Sequence, residues 1–260
     1  MKGHVTSHVN RWHVNRWTRS IALSLAAATS ATLWLAPSAA VADRVGEDHL
    51  PNLRTRRPYA MRITHEGGAT LLRFTNTIAN VGAGPLELRP DNAGETTTAY
   101  QRIFTHGATL DWELKYEREV GTFVFHPQHN HWHFEAFAEY QLHEVATGGG
   151  VGEVLREAAD KVSFCVIDSV SINMRLPHAT ATPGYATQCT QDAIQGISVG
   201  WADRYGWQLY GQWVDISGLP DGTYWLTSEA DPLDLIDETK EGDNRNAMKI
   251  RITGDKVVRL

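Results

Sequence analysis

The feature that most restricts the fold of this chain is a rhythm of short β-favouring runs broken by turn residues. The runs are TLLRFTNTIAN from Thr70, PLELRP from Pro85, AYQRIFT from Ala99, TFVF from Thr122 and HWHFEAFAEYQL from His131. VSFCVI from Val162, YGQWVDIS from Tyr210, TYWLTSEA from Thr223 and AMKIRIT from Ala247 continue the series, and GAGP, PDN, TGGG, LPDG and EGDN separate its members. Strands of this length and spacing predict an all-β chain that buries its apolar faces as a β-sandwich. Little helix is expected: EVLREAADK, Glu153 to Lys161, is the one short candidate, and DPLDLIDE suits a turn. From Ser169 to Trp207 no strand pattern is visible. A stretch that long inside a compact domain predicts a functional loop, or one that is stapled down.

Ahead of these runs, Arg16 and Arg19 precede an apolar stretch from Ile21 to Ala36 and then Ala40-Val41-Ala42. That pattern predicts a secretory signal peptide over residues 1–42, one domain over 43–260, and secretion to the extracellular side. The apolar stretch is too short and too rich in Ala, Ser and Thr for a membrane span, so no membrane association is expected once the leader is removed. The formal charge of −6 becomes more negative without Lys2, Arg11, Arg16 and Arg19. Such a balance argues against nucleic acid and for cationic partners. In an oxidising compartment the only two cysteines, Cys165 and Cys189, are expected to pair.

The densest chemistry lies in FVFHPQHNHWHFEAFAEYQL, Phe123 to Leu142, which carries four of the twelve histidines within eight positions. In an extended strand alternate side chains share a face, so His129, His131 and His133 project together while Asn130 and Trp132 point away. Three imidazoles at that spacing can converge on one ion, and all-nitrogen ligation suits copper, zinc, nickel or iron, with copper the tightest binder of the divalent series. His126 is either a fourth ligand or a neighbour of the ligands. Glu135 and Glu139 fall on the same face and can orient imidazoles through their second nitrogens. His143 continues neither pattern and is expected at the surface.

This segment resembles the copper-binding segment of the lysyl oxidase family, an aromatic-flanked H-x-x-H-x-H-x-H followed by an acidic, Phe- and Tyr-rich strand. Two further segments share the resemblance. DKVSFCVID, Asp160 to Asp168, is similar to the family's K-x-S-F-C-x-x-D, and QGISVGWADRYGWQLYGQWVDIS, Gln195 to Ser217, is similar to its Q-G-[IL]-S-x-G…D-x-Y…Q-W-[IV]-D-I. The likeness runs from Leu50 to about Thr253 and is nearest to the family's bacterial members. It implies that His129, His131 and His133 hold a copper ion, and that Lys161 and Tyr205 are the two residues of the self-derived cofactor, lysine tyrosylquinone. This chain departs from vertebrate relatives at Trp201 and Gly211, where they carry cysteines, and at Glu139, where they carry histidine.

The activity so implied is oxidative deamination of a primary amine, peptidyl lysine or a small amine, by O₂, giving an aldehyde, hydrogen peroxide and ammonia. No ordinary side chain supplies the electrophilic carbonyl this needs, so the quinone carries the covalent step. Asp203, two residues before Tyr205, is the candidate general base, or caps a turn. Two other readings fit the same residues. One is a non-catalytic copper- or zinc-binding β-sandwich with Lys161 and Tyr205 as ordinary residues. The other is a zinc hydrolase, which would lack an H-E-x-x-H helix.

Overall fold

Sixteen strands and one turn of 3-10 helix make up the regular structure of the described residues. In this computed structural model those are residues 46–91, 94–107, 111–127, 130–158, 162–185 and 189–260. The strands are β1 (Leu53–Thr55), β2 (Tyr59–Glu66), β3 (Ala69–Asn80), β4 (Leu86–Pro90), β5 (Thr96–His106), β6 (Trp112–His126), β7 (His131–Val145) and β8 (Val151–Glu157). They continue as β9 (Val162–Phe164), β10 (Val170–Ser171), β11 (Gln195–Ile197), β12 (Trp201–Tyr205), β13 (Trp213–Asp215), β14 (Gly222–Ala230), β15 (Arg245–Thr253) and β16 (Lys256–Arg259). The fold is all-β, as the run-and-turn rhythm predicts. The leader expected over 1–42 lies outside the described residues.

Two antiparallel sheets enclose the core. One follows the order β1-β3-β12-β10, with β2 and β13 also on β3; the other follows β11-β4-β5-β6-β7-β14-β15-β16, with β8 and β9 on β7. Phe74 of β3 meets Tyr140 of β7 edge to face at 4.9 Å between ring centroids, so aromatic rings bridge the two layers. β3 is buried without a break from Leu71 to Asn80 because strands flank it on both edges. Its buried Asn80 is fully used: the amide donates to Gly84 O and Ile197 O, both at 2.9 Å, and the carbonyl accepts from Asn52 N at 3.1 Å and Gly82 N at 3.0 Å.

Three expectations need correction. Glu153–Glu157, read as helix, is strand β8, paired to β7 with Val145 opposite Val151 across the TGGG turn. The helix formers Glu, Leu and Arg yield there to the unpaired groups of β7 and to the packing of Leu155 against the core. The stretch from Ser169 to Trp207 is not strand-free: it holds β10, β11 and β12, all too short to show a period. His143 is buried, not at the surface, its Nδ1 bonded to Gly152 O at 3.0 Å and its Nε2 to Thr227 Oγ1 at 3.1 Å. The turn expected in DPLDLIDE is present, closed by Asp234 N donating to Asp231 O at 3.0 Å.

Candidate active site

The hairpin of β6 and β7 sets out the histidines. Val124 lies opposite His133 and His126 opposite His131, so three imidazoles gather where the two strands turn. His126 stacks on His133 with centroids 4.2 Å apart, and the rings of His131 and His133 are 4.8 Å apart. His131 and His133 are alternate residues of one strand and share a face. The strand begins only at His131, after a turn in which Asn130 takes the left-handed conformation at φ 55° and its N–H donates to His126 O at 2.8 Å. The single extended run expected from His129 to His133 is therefore broken ahead of His131, and His129 itself lies outside the described residues.

Ser163 of β9 supports the cluster, its Oγ 3.2 Å from His133 Nδ1 and 3.3 Å from His126 Nε2. With Nδ1 so engaged, Nε2 is the nitrogen through which His133 could hold a metal. Glu135 reaches His126 Nε2 at 3.3 Å. Ala136 takes φ 53°, a break in the alternation of β7 between Glu135 and Glu139.

The sheet opposite supplies the tyrosine. β12 runs antiparallel to β3 with Asp203 opposite Ile78 and Tyr205 opposite Asn76, so both side chains stand on one face. Tyr205 packs edge to face on Phe164 with centroids 3.6 Å apart and donates to Cys165 O at 2.6 Å. A cavity of about 350 Å³ is walled by His131, His133, Ser163, Asp203, Tyr205 and Tyr210, with Val162, Cys165, Ile167 and Leu209 among its other neighbours. Ser163 and Tyr210 were not singled out in the sequence; the first lies inside the quoted K-x-S-F-C pattern. Lys161 lies outside the described residues, next in sequence to Val162 of the cavity wall.

Burial governs the acid–base character of this wall. It pushes the Asp203 carboxyl well above the usual range, against the lowering effect of the Ile167 N–H, the Ser169 hydroxyl and the Tyr205 phenol. Burial, and next the Asp203 carboxylate, raise the Tyr205 phenol well above its ordinary value.

The long loop is fastened beside the histidines. Cys165 and Cys189 form the expected disulfide, 24 positions apart. Trp132 N donates to Cys189 O at 2.8 Å, and Gln195 bridges Val166 N at 2.8 Å and Trp132 O at 2.9 Å. The buried Asp168 accepts from Gly184 N, Ser198 N and Ser198 Oγ at 2.8, 2.8 and 2.6 Å. Its role is to fold the loop back on itself.

The described residues fit a copper ion and a tyrosine-derived cofactor: the donor set is imidazole throughout, and the tyrosine shares its cavity. Comparison with known proteins agrees in kind. The lysyl oxidase family matches residues 101–259. Lysyl oxidase homolog 1 of Homo sapiens is 32% identical over 134 residues, 51% of this chain and 21% of that protein. Protein-lysine 6-oxidase of Sus scrofa is 30% identical over 133 residues, 50% of this chain and 47% of that protein. Lysyl oxidase homolog 2 of Xenopus tropicalis is 26% identical over 166 residues, 62% of this chain and 20% of that protein. The chain spans less than half the length of each of these relatives.

Proposed function

The chain belongs to the lysyl oxidase family, and from that premise we propose that it is a secreted copper amine oxidase that converts a primary amine, O₂ and water into an aldehyde, ammonia and hydrogen peroxide. The observation that carries this reading is the cavity shared by His131, His133, Asp203 and Tyr205, which come from opposite sheets. On this reading His129, His131 and His133 would hold copper, and Tyr205 joined to Lys161 would form lysine tyrosylquinone. Bound there, copper would supply the oxidation of the Tyr205 ring with O₂, and the finished cofactor would supply a carbonyl electrophile and electron sink.

The chain's own residues perform the rest. Asp203 takes the proton from the substrate carbon next to the nitrogen; its buried surroundings give it the raised basicity that such a proton transfer requires. Before the ring is oxidised, the Cys165 carbonyl holds Tyr205 in place through its phenol, and Phe164 fixes the ring plane. Ser163 orients His133. The apolar wall formed by Val162, Ile167 and Leu209 keeps bulk water from the reacting carbon. Tyr210, 77% exposed, stands at the rim, where a lysyl side chain or small amine would enter. The net negative charge favours such a cationic substrate.

Protein matured with copper in air tests the reading. It should absorb visible light, form an adduct with phenylhydrazine and release hydrogen peroxide with a primary amine. Copper-loaded protein that stays colourless and inert to phenylhydrazine would instead be a non-catalytic metal-binding sandwich.

A further inference from the structure

A second group of histidines meets away from the β6–β7 turn. His49, ahead of β1, is bridged to β5 through its N–H, which donates to Phe104 O at 2.8 Å. His106 is the last residue of β5, and His178 sits in the long loop with φ 64°. The ring centroids of His49 and His106 are 4.4 Å apart, those of His106 and His178 4.3 Å, and those of His49 and His178 5.5 Å. One nitrogen from each ring falls within 4.8 Å of the other two. Tetrahedral zinc holds its nitrogens roughly 3.3 Å apart at bonds near 2.0 Å, a gap that small ring rotations close.

We propose that His49, His106 and His178 form a metal site of their own, for a zinc-class divalent ion. Proximity alone would allow a plain aromatic cluster, since Trp112 packs on all three rings at 4.2 to 5.4 Å. His49 argues against that. It is 4% exposed, and neither of its ring nitrogens has a hydrogen-bond partner. A buried imidazole without partners is costly, and an ion gives its lone pair one.

The donor chemistry selects the ion. Three imidazoles with no carboxylate among them suit zinc, copper, nickel or cobalt and reject calcium and magnesium, which require oxygen. Three protein ligands would leave a tetrahedral ion one further position. The His178 turn is itself anchored, through Ala179 N donating to Leu176 O at 3.2 Å and Trp201 Nε1 donating to Thr180 O at 2.8 Å. An ion there would cross-link the start of the domain, the end of β5 and the long loop.

This site is distinct from the histidine hairpin. Trp112 and His126 are the first and last residues of β6, separated by roughly 45 Å of strand at about 3.3 Å per residue. The proposal does not depend on the amine oxidase reading, and its test removes that site first. The full chain carrying His131→Ala and His133→Ala is stripped with EDTA, dialysed against Zn²⁺ and assayed for bound metal and thermal unfolding. Adding His178→Ala should lower bound zinc by one ion per chain and abolish the rise in Tm that Zn²⁺ produces. His49→Ala should do the same; because His49 is buried, the partly exposed His178 decides the matter if that variant fails to fold. Equal zinc content and an equal Tm rise with and without His178 would overturn the site.

Discussion

The phenol of Tyr205 donates a 2.6 Å hydrogen bond to the carbonyl of Cys165, the residue that also carries the disulfide to Cys189. One backbone position thus holds the candidate cofactor ring, fastens the long loop and follows directly on β9, whose Ser163 touches two histidines.

The disulfide should therefore matter to both stability and chemistry. Closing a loop of that length contributes about 3 kcal/mol in the chain-entropy model. Cys165→Ser with Cys189→Ser should lower unfolding stability in urea by that order and slow cofactor formation, read as phenylhydrazine adduct per chain. Unchanged stability on reduction of the wild type would show that the loop is held by hydrogen bonds alone.

Tyr205→Phe should bind copper yet form no phenylhydrazine adduct, since Phe lacks the oxygen at which ring oxidation starts. Lys161→Ala should lose the cross-link between the Lys161 and Tyr205 peptides that mass spectrometry is expected to find in copper-matured protein. Turnover of amine by Tyr205→Phe at the wild-type rate would sink the mechanism.

The local part of this site was legible in the sequence, and the assembled part was not. His131 and His133 alternate along one strand, so a period of two reveals their common face. The turn ahead of His131 is less visible, because Asn130 tolerates a left-handed backbone that strand patterning does not anticipate. β8 was hidden because its residues favour helix locally and become strand only against β7. Family resemblance drew attention to Tyr205; the partners that surround it, Phe164, Cys165 and Tyr210, depend on tertiary packing. His49, His106 and His178 share no spacing at all, so only the fold unites them.

His133→Ala should reduce copper bound at the hairpin well below one ion per chain and abolish cofactor formation, whereas Ser163→Ala should retain the ion with weaker affinity, by about 10- to 100-fold for loss of a supporting contact. Copper titration of both variants separates a ligand from its support. Equal copper affinity in Ser163→Ala and wild type would remove Ser163 from the site.

Asp203 gives the sharpest pH prediction. Its carboxyl is raised by burial in the folded state, and a base works only when ionised, so kcat/KM should climb with pH through that raised value rather than level off above the ordinary carboxylate range. Stability should move the opposite way. The folded chain keeps a proton that the unfolded chain releases, so the contribution of Asp203 is complete below the unfolded pKa and is lost as pH rises through the folded one. Activity and stability are thus coupled to one group with opposite signs. Asp203→Asn cannot ionise, so it should lower kcat by roughly 10²- to 10⁴-fold, remove the rising limb and flatten the fall in stability over the same pH window. Its Tyr205 ring should still mature, because the phenol is held by Cys165 O and not by Asp203 alone. A full phenylhydrazine adduct with the amine oxidation lost would identify Asp203 as the base; an unchanged pH–rate profile in Asp203→Asn would assign the proton transfer to another group.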